Sequence, residues 1–93
     1  MRQYKGMYII RPDLTEEQTK AVIEDINNIF TTRGGEILEV NEWGARELAY
    51  EINDFKKGYY VVILVNANDD AVLEYDRICN IREDVIRHIL VRE

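Results

Sequence analysis

Serine does not occur anywhere in this chain, and cysteine, histidine, proline and tryptophan occur once each, as Cys79, His88, Pro12 and Trp43. These absences exclude a serine nucleophile, an intrachain disulfide and a Cys/His metal cluster, so no metal site is expected. A lone cysteine with no secretory leader ahead of it suits the reducing cytoplasm. The longest apolar run, Tyr59 to Val65, is far too short to cross a bilayer, and no membrane partner is expected. Positive charge is also scarce: twelve Lys and Arg stand against eighteen Asp and Glu, a formal charge of −6. That balance disfavours coating nucleic acid by bulk charge, although it leaves room for a local basic patch. No repeat, low-complexity stretch or Pro/Gly-rich linker divides the 93 residues, so residues 1–93 are expected to form one domain.

What the chain does contain is pattern. Tyr4 to Ile10 is aromatic and β-branched and halts at Arg11-Pro12-Asp13, which reads as a strand and a turn. Thr15 with Gln18 three residues on is a capping box. Val22, Ile23, Ile26, Ile29 and Phe30 then recur at helical spacing until Gly34 and Gly35. Glu36 to Ile52 reads as a long strand with a bulge at Trp43-Gly44. Asn53 to Gly58 reads as a polar loop, and Tyr59 to Val65 as the returning strand of a hairpin. Asn68 or Asp69 caps a second helix whose apolar face is Val72, Tyr75, Ile78 and Cys79, with Asn80 as its left-handed terminator. Val85 to Val91 is the last strand. The order β-α-β-β-α-β implies an α+β, ferredoxin-like fold: a four-stranded antiparallel sheet ordered 4-1-3-2, with two helices on one face.

In such a fold the second sheet face should be polar, and alternation contradicts that. With Tyr4, Tyr8, Ile10, Tyr59, Val61 and Ile63 turned to the helices, Met7, Ile9, Tyr60, Val62, Leu64, Ile89 and Val91 fall on the open face. A contiguous apolar patch of this size is the mark of a protein partner or of weak self-association; a plain alternative is central-strand composition with loops covering part of the face. The first and last strands are antiparallel neighbours in this order, so Arg2 is expected near Arg92, with Lys5 and Arg87 further along. Four cations at one corner would serve phosphate contacts despite the net acidity; a solvated, pairing-resistant edge would look the same.

Catalysis finds little support. His88 lies in a strand with no Cys or Ser partner, and Cys79 at a helix end reads as a small core residue. The acidic pairs Glu16/Glu17, Asp69/Asp70 and Glu83/Asp84 fall at helix starts or turns, where capping accounts for them. Gly34-Gly35 lacks the context of a phosphate-binding loop, so neither an enzyme nor a cofactor is expected. The third-strand signature of an RNA-recognition motif is met only in part by Lys57-Gly58-Tyr59-Tyr60-Val61. Two other classes stay open on this fold: a homo-oligomeric regulatory module binding a small ligand between subunits, and a small dimeric enzyme.

Several segments together resemble one family, the bacterial small-subunit ribosomal protein six family. Trp43-Gly44-Ala45-Arg46-Glu47-Leu48-Ala49-Tyr50-Glu51-Ile52 is similar to its second-strand motif W/L-G-x-R-x-L-A-Y-x-I. Tyr4-Lys5, Arg11-Pro12-Asp13-Leu14, Lys57-Gly58-Tyr59-Tyr60 and Ile81-Arg82-Glu83-Asp84-Val85-Ile86-Arg87 resemble the corresponding segments. His88 departs from the pattern, standing where an apolar residue is usual. The resemblance implies a non-enzymatic ribosomal protein that binds the central (platform) domain of 16S ribosomal RNA together with small-subunit ribosomal protein eighteen. On that reading the apolar face meets the protein partner, Arg2, Lys5, Arg87 and Arg92 meet RNA, and Arg46 is either a further RNA contact or the cation of a structural salt bridge.

Overall fold

The computed structural model describes Met1–Glu93. Its elements are β1 (Arg2–Ile10), α1 (Glu16–Thr31), β2 (Glu36–Ile52), β3 (Phe55–Ala67), α2 (Asp69–Ile81) and β4 (Val85–Arg92). The four strands form one antiparallel sheet ordered β2-β3-β1-β4, which is the expected 4-1-3-2 read from the other edge. Both helices lie on one face, as expected of a ferredoxin-like fold.

Local chemistry starts and stops the helices. The Thr15 hydroxyl accepts from the Gln18 N–H at 3.1 Å, and the Gln18 side chain accepts from the Thr15 N–H at 2.9 Å. Two otherwise unpartnered donors of α1 are satisfied in this way. Gly34 takes a left-handed φ of +76°, and the Gly35 N–H donates to the Phe30 carbonyl at 2.8 Å, closing the helix end. Asn68 caps α2 by accepting from the Ala71 N–H at 2.9 Å. The far end of α2 differs from expectation. Asn80 stays helical, α2 runs on to Ile81, and the chain leaves through an extended Arg82 whose N–H donates to the Ile78 carbonyl. An extended exit leads straight toward β4, so no left-handed residue is needed.

The hairpin also differs. Asn53 and Asp54 both adopt positive φ, 50° and 68°, and Ile52 pairs with Phe55. A two-residue turn of this geometry matches the right-handed twist of its strands, and Asn and Asp tolerate it. The expected loop Asn53–Gly58 therefore shrinks to two residues, and β3 begins at Phe55. Residues Phe55–Gly58 pair only with β2, so the hairpin tip projects past the end of β1. Gly44 sits at φ +82° where the β2–β3 register slips between Glu42 and Gly44, confirming the bulge.

The core lies between helices and sheet. Val22, Ile26 and Phe30 of α1 and Tyr75 and Cys79 of α2 pack on Tyr8, Ile10, Val61, Ile63 and Val65, all buried. Phe30 and Tyr75 meet with ring centroids 5.6 Å apart. The Tyr75 hydroxyl donates to the Ile89 carbonyl at 3.1 Å, tying α2 to β4. Burial pushes the Cys79 thiol up to about 12, so at neutral pH it is a protonated core side chain. No helix is long and apolar enough to cross a membrane.

Candidate functional site

Period-two alternation sends every second strand residue away from the helices, and the register aligns those residues in rows across the sheet. One row reads Glu36–Asn66–Gln3 and the next Glu39–Leu64–Lys5–Val91. Then come Asn41–Val62–Met7–Ile89 and Gly44–Tyr60–Ile9–Arg87, with Arg46 opposite Gly58 beyond them. All seven residues expected on this face, Met7, Ile9, Tyr60, Val62, Leu64, Ile89 and Val91, are brought together here. Their depths differ. Ile89 is 46% exposed and Val91 58%, whereas Val62 is 9% and Ile9 only 3% exposed. Ile9 lies beneath the surface because Leu48, Ile86 and Ile9 converge over Gly58. Any side chain at position 58 would collide with Ile9.

Unbroken alternation along β4 would set Ile86 with His88 and Leu90 on the helix side. A register slip between Ile9 and Ile10 pairs Arg87 with Ile9 and Val85 with Ile10, leaving Ile86 unpaired and beside Gly58. Parity breaks at such a bulge, so Ile86 joins the open side. His88 and Leu90 do lie toward the helices. His88 Nε2 lies 2.8 Å from Asp76 Oδ1, and its ring stands edge-on to Tyr75, a packing role that engages it within the fold.

The four cations expected at one corner are divided. Arg92 pairs with Tyr4, two residues from Arg2, so these two do approach each other. By strand parity both belong to the helix side of the sheet, whereas Lys5 and Arg87 belong to the open face. Arg87 is opposite Ile9, four residues from Lys5 along β1, a separation of roughly 13 Å. The single basic corner is therefore corrected to a pair at the sheet's end and two separated cations on the open face. Adjacency of β1 and β4 was right; the alternation of faces and the length of β4 divide the group.

Ion pairing sorts the cations more sharply than position. Arg11 pairs with Asp13, Lys20 with Glu16, Arg33 with Asp70 and Glu74, Arg77 with Glu74, and Arg82 with Asp25 and Asp84. All five belong to the helices or their flanking turns. Arg2, Lys5, Arg46, Lys56, Lys57, Arg87 and Arg92 have no carboxylate partner, and every one lies on a strand. Arg46 lies over the Trp43 ring, its guanidinium 5.8 Å from the centroid, and Trp43 stacks on Tyr60 at 6.4 Å and 10°. Arg87 lies over the Tyr50 ring at 5.8 Å and donates to its hydroxyl. Exposed cation–π contacts of this kind are worth about 0.5–1 kcal/mol, enough to orient an arginine while leaving it available to a phosphate.

Trp43 is 51% and Tyr50 60% exposed, and sequence reasoning did not place either on this face. The Trp43-Gly44 bulge was legible, but the direction in which a bulge aims its side chain is set by backbone geometry. Trp43 forms one wall of two shallow grooves of about 280 and 270 Å³ that flank Lys5. No group of three or more His, Cys, Asp or Glu residues is arranged to hold a metal ion. The face offers apolar contact, cationic contact and hydrogen bonding, and no pairing of a nucleophile with a base.

Comparison with known proteins gives two consistent findings. A family model described as ribosomal protein S6 matches residues 3–92. The crystal structure of 30S ribosomal protein S6 from Thermotoga maritima is similar with a TM-score of 0.93 and 31% sequence identity, over 99% of this chain and 87% of that one.

Proposed function

The chain belongs to the ribosomal protein S6 family and is a small-subunit ribosomal protein, and from that premise we propose that it binds the central (platform) domain of 16S ribosomal RNA together with small-subunit ribosomal protein eighteen, on cytoplasmic ribosomes. The family is structural and non-enzymatic. The observation that carries the proposal is the open sheet face, where exposed Ile89 and Val91 stand among strand cations that no carboxylate neutralises.

Met7, Tyr60, Val62, Leu64, Ile89 and Val91 are the proposed contacts to the protein partner, with Ile9 supporting them from beneath. Arg2, Lys5, Arg87 and Arg92 are the proposed phosphate contacts, as an Arg2/Arg92 pair and the separate Lys5 and Arg87, and Arg46 joins Arg87. Each phosphate contact adds a salt-dependent increment, and so few cations on a −6 chain hold RNA weakly. A basic partner seated on the apolar face extends the positive surface and fixes its shape.

Binding of a central-domain rRNA fragment, measured with and without protein eighteen, tests this reading. Tight binding is expected only with the partner present. Tight binding by this chain alone, or none with the partner, contradicts it. The double substitution Arg46→Ala, Arg87→Ala should lower RNA affinity and flatten its salt dependence, and an unchanged slope removes both from the phosphate contacts.

A further inference from the structure

Charge on the open face is ordered along the strands. Glu36, Glu39 and Glu93 gather at one end, Val62, Met7 and Ile89 hold the middle, and Arg46 and Arg87 occupy the other end. The groove at the acidic end is lined by Glu39, Asn41, Trp43, Val62, Leu64 and Glu93, with Lys5 and Gln3 on its β1 side. Asn41 Nδ2 donates to Glu39 Oε1 at 3.0 Å, which orients that carboxylate and leaves its second oxygen unengaged.

We propose that the protein partner inserts a cationic, extended segment into the groove at the Glu39 end, laying the aliphatic stems of Lys or Arg on Val62 and Leu64 with their charged heads on Glu39 and Glu93. Long basic side chains suit such a site because the stem buries against apolar surface while the head stays at the polar rim. Charge complementarity selects this occupant: the groove is lined by two carboxylates, Glu39 and Glu93, and one cation, Lys5, with Arg92 in the adjoining groove beyond Glu93. An acidic segment would be repelled here and drawn to the Arg46–Arg87 end instead. On the open face the Glu39 end thereby takes a basic protein segment and the Arg46–Arg87 end takes RNA, with Lys5 and the Arg2/Arg92 pair meeting RNA at the margin of the Glu39 end.

This inference rests on the reading that the partner covers the open face, and the test separates the two. Protein eighteen is titrated onto the full chain and onto Glu39→Lys, Arg87→Gln and Ile89→Asp at several salt concentrations, with circular dichroism checking each fold. Glu39 is exposed and takes part in no core contact, so its variant should fold as the parent does. Glu39→Lys is expected to weaken binding about tenfold and reduce its salt dependence, with Arg87→Gln within about twofold of the parent. If Glu39→Lys leaves affinity and salt dependence unchanged while Ile89→Asp abolishes binding, the partner covers the face without using the groove and the inference is overturned. A loss for Arg87→Gln as large as that for Glu39→Lys overturns the division of ends. If no variant changes binding, the reading of the face itself fails.

Discussion

The two faces of the sheet are built from the same four strands, one residue out of phase, and they answer to different demands. Tyr8, Ile10, Val61, Ile63 and Val65 on the helix side are excluded from solvent, and Arg33 and Arg82 at the helix ends are engaged by carboxylates. Met7, Leu64, Ile89 and Val91 on the other side stay wholly or partly exposed, and the cations among them lie unpaired or against aromatic rings. Folding accounts for the first arrangement, because burying apolar surface drives it. It does not account for the second, where apolar side chains stay in water and like charges go unneutralised. Surface that folding leaves uncovered in this way is surface held for association.

Substitutions can sharpen or break that contrast. The largest expected effect is Phe30→Ala, which empties a fully buried position between helix and sheet and should cost about 3–5 kcal/mol in urea unfolding. Ile89→Ala on the opposite face should cost about 1 kcal/mol or less while weakening partner binding; comparable losses for the two would erase the distinction between faces. Next is Gly58→Val, which forces a side chain into Ile9 beneath the open face and should destabilise by about 1–3 kcal/mol.

Arg82 bridges Asp25 of α1 and Asp84 at the approach to β4. Its guanidinium hydrogen-bonds Asp84 and holds that carboxyl below the usual carboxylate range. A carboxyl with a depressed folded pKa adds stability that is present above its unfolded pKa, about 3.9, and is lost as pH falls through the folded value. Asp84→Asn should therefore cost no more than about 1 kcal/mol at neutral pH, with the deficit closing in acid. A deficit equal at both pH values would assign the loss to packing. The smallest effect is expected at Tyr8, whose fully buried hydroxyl has no hydrogen-bond partner. Tyr8→Phe should leave stability unchanged or slightly raised, because an unsatisfied buried hydroxyl contributes nothing favourable.

The fold was legible because its signals are local. The capping box at Thr15, the glycines after α1 and the alternation in β1 and β3 each depend on a few neighbouring residues, and each appears as expected. Misread features depend on backbone geometry that residue type sets only loosely. Asn53-Asp54 can form a tight two-residue turn or begin a loop, and Lys56 and Lys57 look like loop residues until Phe55 is seen to pair with Ile52. Asn80 can end a helix or remain within one. The candidate site divides along the same line. Alternation alone places the apolar residues on one face. Assembling the cations requires register, bulge position and face at once, and a single slip at Ile86 or Trp43 redirects a side chain.

The central claim is that the face opposite the helices is held for association and the helix layer is not. Methyl-resolved NMR of the full chain, recorded with and without protein eighteen, tests it most directly. Shifts and broadening are predicted at Met7, Val62, Leu64, Ile89 and Val91, with Leu73 of α2, an exposed apolar residue on the helix layer, unmoved. Perturbations centred on Leu73 and the outer surfaces of α1 and α2, with the sheet methyls unchanged, would contradict it.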